Sequence, residues 1–154
     1  MMLNISTYNN EALASLCLGY YVMRVKELSH AKAMVILPFI FHEQTASRLR
    51  GTSSKRSVDE FIIGNTDCLI NFNKRFVDFL PVSVNAVIML SEMGIVSLTQ
   101  KTIQFREGQT NFHQNKFSSL GKRANALLAS IDNLLPMLYY EEDWATYLKL
   151  KITL

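Results

Sequence analysis

The chain has 154 residues, 49% of them hydrophobic, so it is long enough to bury a sizeable core as a single domain. Its formal net charge of +3 allows contact with nucleic acid or with an acidic protein but requires neither. The longest apolar run, residues 33–41, is far shorter than the roughly 20 residues of a membrane span, so it indicates a buried helix.

The N-terminal segment is predicted to be helical. A first helix is expected to begin at Asn9 or Asn10 and to end near Glu27, and Ser29 is expected to cap a second, which Pro38 kinks or divides. A short helix over residues 57–63 follows. This segment lacks the basic stretch of a signal peptide and no CxxC spacing is present, so we expect a chain that stays in a reducing cytoplasm.

A basic stretch lies between the second helix and the short one. It surrounds a Gly-Thr-Ser-Ser sequence and has no acidic residue between Glu43 and Asp59. Its four cations are Arg48, Arg50, Lys55 and Arg56. The pattern fits a solvated loop, or contact with phosphates or an acidic partner, and the sequence leaves both open.

Residues 65–106 are predicted to form a winged helix-turn-helix. Thr66 is expected to cap a first helix whose apolar residues recur at helical spacing, and Pro81 to begin a second that ends with Gly94 in the C′ position. Two β-rich runs, residues 95–99 and 102–106, are joined by two residues and predict a β-hairpin wing.

The second helix of this unit lacks the chemistry of a DNA reader, because Glu92 is its only charged residue. An apolar face is expected to pack inward: Ala86, Val87, Leu90 and Met93. The predicted partner-binding residues are Val84, Ile88 and Met89. Nucleic-acid contact is assigned to the four cations of the basic stretch together with Lys101, and Arg106 lies on the wing as well.

The C-terminal region, residues 117–154, is predicted to contain one more helix and a tail. Ser118 or Ser119 is expected to open the helix and Pro136 to interrupt it. The period-two pattern of residues 148–154 predicts a half-buried strand. Between them, the aromatic-acidic run at residues 139–144 is a candidate for docking on a basic partner, although a structural role fits it too.

No residue pattern in the chain indicates catalysis. The histidines, His30, His42 and His113, have no metal-ligand spacing, and there is no phosphate loop and no nucleophile elbow. We therefore expect a non-enzyme without cofactor or metal. The predicted fold class is mainly α (α+β): a single helical domain over residues 1–154, with N-terminal helices over 9–63 ahead of the winged unit.

Several short motifs resemble one protein family, the middle components of bacterial three-component ABC ATPase conflict systems, among which is the antiphage system Menshen. The resembling segments are residues 36–42 with Thr45, Arg48 and Leu49; Asn71 to Arg75; Leu80-Pro81 with Ala86, Leu90 and Gly94-Ile95; and residues 120–124. The resemblance implies a small non-enzymatic adaptor that works beside an SMC/Rad50-like ABC ATPase and a variable effector, often a nuclease, in antiphage defence.

Two functional hypotheses follow. The first is a cytoplasmic adaptor that joins the ATPase to the effector through its winged-helix surface and its apolar N-terminal helices. The second is a winged-helix DNA-binding transcriptional regulator, supported by the basic stretch and the wing cations. Nucleic-acid contact through the complex and a homodimer of the free chain both stay open, and no membrane partner is expected.

Overall fold

The computed structural model describes residues 5–51, 57–108, 112 and 119–154, with side chains from residue 11 onward. In these ranges the helices are α1 (Ile5–Val25), α2 (His30–Ile40), α3 (Glu43–Arg50), α4 (Val58–Gly64), α5 (Phe72–Glu92), α6 (Lys122–Tyr139) and α7 (Asp143–Lys149), and a 3-10 helix covers Thr66–Leu69. The strands are β1 (Glu27–Ser29), β2 (Val96–Leu98) and β3 (Thr102–Phe105). The predicted mainly helical fold with a small antiparallel β element is confirmed.

The core lies between α1, α2 and α5, and α6 packs on α1 and α3. Phe39 of α2 is fully buried and lies 4.8 Å from the Phe72 ring and 6.2 Å from the Phe61 ring, measured between centroids. α1 begins at Ile5, earlier than the predicted asparagine cap. None of the helices in the described ranges combines the length and the apolar content that a membrane crossing requires.

The sheet has a strand that the sequence did not predict. Lys26 adopts a positive φ of 73° directly after α1, and the chain then continues as β1. The sheet order is β1-β3-β2, antiparallel throughout, so Ile103 on β3 lies opposite Leu28 on one side and Leu98 on the other.

The second helix begins as predicted but is not divided by its proline. The Ser29 hydroxyl accepts a hydrogen bond from the Lys32 N–H at 3.1 Å, which confirms the cap. Pro38 lies inside α2, and the chain turns only after Ile40. The basic stretch therefore begins on a helix, because α3 carries Arg48 and Arg50, and its predicted loop character is wrong for these two residues.

The predicted turn between two helices at Pro81 is wrong, because α5 continues through the proline as one helix of 21 residues. The segment from Thr66 forms only a short 3-10 helix. Proline inside a helix costs about 3 kcal/mol through its missing N–H and a steric clash. Here the buried face continues on both sides of the proline, from Phe72 and Phe76 to Leu90, and its packing offsets that cost.

The end of α5 and the hairpin that follows it are confirmed. Gly94 has φ +75°, its N–H donates to the Ser91 carbonyl at 3.0 Å, and the Ile95 N–H donates to the Leu90 carbonyl at 3.0 Å. This pair of bonds is a Schellman motif. In the hairpin loop, the Thr99 N–H donates to the Thr102 carbonyl at 2.9 Å, and the Thr99 hydroxyl accepts from the Thr102 N–H at 2.9 Å. The threonine side chain thus supports a loop without glycine.

The C-terminal region differs from the prediction in three respects. α6 begins at Lys122 and contains Pro136, so the proline does not interrupt it. The predicted terminal strand is wrong, because Asp143–Lys149 is helical and a turn follows. Leu148 is 71% exposed whereas Leu150 is 4% exposed, so the alternating residues do not share one buried face as a strand would require.

Candidate functional site

The outer face of α5 carries a row of exposed apolar side chains at helical spacing. Val77, Val84 and Ile88 are 50%, 45% and 47% exposed, and Pro81 is exposed between them. We call these four residues the α5 stripe. Positions i, i+4, i+7 and i+11 lie on one side of a helix, so the stripe runs for about 16 Å. The opposite face, with Ala86, Val87 and Leu90, is buried as predicted.

The two methionines beside the stripe differ from each other in their surroundings. Met89 is 36% exposed, and its sulfur accepts a hydrogen bond from the Ser15 hydroxyl of α1 at 3.3 Å. Met93 is 61% exposed, so its predicted inward position is wrong. Flexible, polarizable methionine side chains adapt well to partner surfaces. The exposure of Val84, Ile88 and Met89 agrees with the apolar surface that the sequence predicts at these positions.

Charges are sparse around the stripe. Lys74 and Asp78 form an ion pair at 2.7 Å on the first turns of α5, and Glu92 is exposed at its last turn. From Phe76 to the end of α5 there is no lysine or arginine. A helix that reads DNA needs cations for phosphates and donors for base edges; α5 supplies no cation beyond Arg75, and Asn85 is an exposed amide donor on this face.

The basic stretch is partly neutralised within the chain. The Arg48 guanidinium pairs with Asp67 at 2.8 Å and donates to the Asn65 side-chain oxygen at 2.9 Å. Arg50 pairs with Glu43 at 2.8 Å. Lys55 and Arg56 lie outside the described residues. Lys101 is exposed in the hairpin loop.

A partly buried polar cluster contains Arg75 and His42. The Arg75 guanidinium donates to the Cys68 carbonyl at 2.9 Å and to the Pro38 carbonyl at 3.3 Å, and it lies 5.3 Å from the centre of the Phe72 ring. Burial lowers the pKa of Arg75 from its ordinary value. The pKa of His42 is lowered mainly by burial, and the positive charge of Arg75 lowers it further. The Arg75 guanidinium thus satisfies two main-chain acceptors.

The two histidines that the structure describes each contact one oxygen atom of the chain. The His30 ring contacts the Thr99 carbonyl at 2.8 Å, and the His42 ring contacts the Thr45 hydroxyl at 2.7 Å. His113 lies outside the described residues. Within the described part of the chain, no group of three or more His, Cys, Asp or Glu side chains is placed to hold a metal ion.

Only half of the stripe is predicted from the sequence. Val84 and Ile88 are predicted as a partner surface, but Val77 is assigned to a separate helix and Pro81 to the start of the next one. Val77 lies seven residues before Val84, and Pro81 lies seven residues before Ile88, so the helical spacing was present in the sequence. Because Pro81 is predicted to start a new helix, the row from Val77 to Ile88 is not apparent in the sequence.

Comparison with known proteins agrees with the resemblance seen in the motifs. The family model of the ABC-three component (ABC-3C) system Middle Component 3 matches residues 2–135, a range that contains the whole α5 stripe. No curated protein and no solved structure matches the chain. The chain therefore belongs to the MC3 family, the middle components 3 of ABC-three component systems.

Proposed function

We propose that the chain is a non-enzymatic adaptor that links an SMC/Rad50-like ABC ATPase to an effector in a bacterial antiphage defence complex, and that the α5 stripe is one of its docking surfaces. Membership of the family implies that the chain works with the other ABC-3C components. The observation that supports a docking role is the exposure of three aliphatic side chains and a proline in one row.

The order of elements supports a winged-helix arrangement with different boundaries from those predicted. The order along the chain is α1, β1, the helices α2 to α5, and the hairpin of β2 and β3. The first strand, β1, pairs with the last strand, β3. In that arrangement α5 takes the place of the helix that usually enters DNA. Aliphatic side chains there favour a protein partner, because protein interfaces bury apolar anchors inside a polar rim.

The test is the substitution Ile88→Asp in a chain co-expressed with the other components. Ile88 is already half exposed, so the variant should keep its helical circular dichroism and lose less than about 1 kcal/mol of stability. It should no longer retain its partner in a pull-down, because a charge then lies in the centre of an apolar contact.

Two matched variants control for the new charge. Ala129→Asp introduces the same charge at an exposed position of α6 and should keep both fold and binding. Val87→Asp introduces it at a position 6% exposed and should lose both. Retention of the partner by Ile88→Asp, or loss of its helical signal, would refute the proposed docking surface.

The regulator hypothesis makes a different prediction that the same preparations can test. A winged-helix regulator binds duplex DNA as a free chain, with an affinity that falls steeply with salt. We expect no such binding at 150 mM salt or above, a concentration at which the Debye length is about 8 Å. Nucleic-acid contact by Arg48, Arg50, Lys55, Arg56 and Lys101 stays a prediction for the assembled complex.

A further inference from the structure

A second exposed surface lies at the C-terminal end of the chain, on elements that the α5 stripe does not include. Tyr139 ends α6, Tyr140 follows it, and Trp144 and Leu148 occupy the outer side of α7 at i and i+4. They are 51%, 84%, 69% and 71% exposed, and the two tyrosine rings meet edge to face at 4.8 Å. We call these four residues the aromatic patch.

The extent of exposure is unusual for these residue types. A tryptophan buries up to about 250 Å² when it is covered, and Trp144, the only tryptophan in the sequence, leaves most of its side chain in water. Exposed tryptophan and tyrosine are the residue types that most often anchor protein interfaces. The patch is therefore a surface that gains free energy when another molecule covers it.

The patch is held on a fixed support. The inner side of α7 packs on the body of the protein, where the Tyr147 ring meets the Phe76 ring at 5.6 Å and the Tyr147 hydroxyl donates to the Ala31 carbonyl at 2.6 Å. Burial raises the pKa of Tyr147 to about 12, so its hydroxyl stays protonated and donates this hydrogen bond. Lys149 also pairs with Asp59 and Glu141, each at 2.6 Å. A partner would meet aromatic side chains that are already positioned.

A groove continues the patch towards α1. Its volume is about 330 Å³, and it is lined by Arg24, Val25, Leu135, Pro136, Tyr139 and Tyr140. Arg24 is the one cation of this lining, and its guanidinium is paired with Asp132 at 2.6 Å. The groove therefore offers a mixed surface, both polar and apolar, beside the aromatic rings.

Several carboxylates lie close to the patch, and the exposed Lys151, whose N–H donates to the Leu148 carbonyl at 3.1 Å, lies beside it as well. Glu27 and Glu142 are exposed, and neither forms an ion pair with any residue that the structure describes. Glu27 and Asp143 share a smaller cavity with Tyr139, and Lys32 in that cavity is 14% exposed and lies 3.9 Å from Asp143. Carboxylates repel the phosphates of nucleic acids and of anionic lipids and attract cations.

We propose that the aromatic patch binds a basic, arginine-containing segment of a partner protein. A guanidinium would stack on the face of Trp144 or Tyr140, and the carboxylates of Glu142 and Glu27 would neutralise its charge. All four patch residues lie beyond residue 135, where the family match ends, so this surface is not part of what defines the family. The inference goes beyond the proposed function and does not depend on the α5 stripe.

The experiment uses the single tryptophan as its reporter. The full-length chain is titrated with nona-arginine, and Trp144 emission is followed, with nona-glutamate as the peptide of opposite charge. We expect a saturable change with nona-arginine that weakens as salt is added, and none with nona-glutamate. Tyr140→Ala and Glu142→Gln should each weaken binding by at least about threefold, as expected for loss of a cation–π contact or an exposed charge pair.

Two matched variants remove an exposed carboxylate and an exposed apolar side chain that lie outside the aromatic patch. Glu92→Gln neutralises an exposed carboxylate on α5, and Leu98→Ala shortens a side chain that is 43% exposed on β2. Both should bind nona-arginine as the parent chain does. Ile88→Asp should also bind it unchanged, which separates a failure of this proposal from a failure of the proposed α5 surface.

Results of three kinds would overturn the proposal. The first is an unchanged Trp144 signal, or equal weakening by Glu142→Gln and Glu92→Gln. The second is a stronger response to phosphatidylserine vesicles than to nona-arginine, which would indicate a lipid surface. The third is a dimer in sedimentation equilibrium that Trp144→Ala dissociates, because the patch would then be covered by a second copy of the chain.

Discussion

Replacing Arg75 by methionine tests the idea that one partly buried guanidinium joins three helical segments. Arg75 on α5 donates to the Cys68 carbonyl at the end of the 3-10 helix and to the Pro38 carbonyl in the last turn of α2. Carbonyls at helix C-termini lack helical donors and carry partial negative charge, so a cation is well placed there. Methionine keeps much of the packing against Phe72 but removes both bonds.

The expected loss can be worked out from these contacts. A hydrogen bond from a charged donor contributes about 1.5–3 kcal/mol, and the bond at 3.3 Å is the weaker of the two. Part of the gain is offset by the cost of burying the charge, which is also what lowers the pKa of Arg75. We expect Arg75→Met to lower the free energy of unfolding by about 2 kcal/mol, and the melting temperature by about 4–8 °C.

Urea and thermal unfolding followed by circular dichroism provide the assay. The matched control is Lys74→Met, which removes the neighbouring cation on α5 and only an exposed ion pair with Asp78, and it should cost about 0.5 kcal/mol or less. If Arg75→Met were no more destabilising than Lys74→Met, the guanidinium would not hold these segments together and the reasoning would fail.

Two further predictions concern single residues. Gly94→Ala should lower the free energy of unfolding by about 1 kcal/mol, because φ is +75° at this residue. Gly51→Ala, at φ −86°, should change the free energy of unfolding less. Equal urea midpoints for the two variants would contradict this prediction. Burial raises the pKa of Cys17 to about 12, so at pH 8 about one thiol in ten thousand is ionised. Iodoacetamide should therefore modify Cys17 only in denaturant, and rapid labelling of the folded chain, seen by mass spectrometry, would show the burial to be wrong.

The positions of the three prolines explain most of what the sequence could not predict. Pro38, Pro81 and Pro136 each lie inside a helix, and each was read as a kink, a start or an interruption. A local rule assigns proline a cost of about 3 kcal/mol within a helix. Whether packing offsets that cost depends on residues far away in the sequence, such as those of α1 and α2 that pack on α5.

Signals contained within one short segment were predicted well. The Ser29 cap, the Gly94 terminus and the two-residue hairpin depend on a few adjacent residues, and all three are confirmed. β1 was missed because three residues carry too little pattern, and its pairing with β3 joins segments that are distant in the sequence. For the candidate site, the apolar character of Val84 and Ile88 could be read from their spacing, but the full row required knowing that α5 is unbroken.

The central position of β3 has a mechanical consequence. β3 is hydrogen-bonded to β2 on one side and to β1 on the other. Two further main-chain hydrogen bonds connect the hairpin with the junction of α1 and α2. The His30 N–H donates to the Lys101 carbonyl at 3.2 Å, and the Phe105 N–H donates to the Lys26 carbonyl at 2.8 Å. The hairpin therefore has no hinge at its base about which it could swing alone. A force applied to the tip of the hairpin is therefore transmitted through these hydrogen bonds to the junction of α1 and α2.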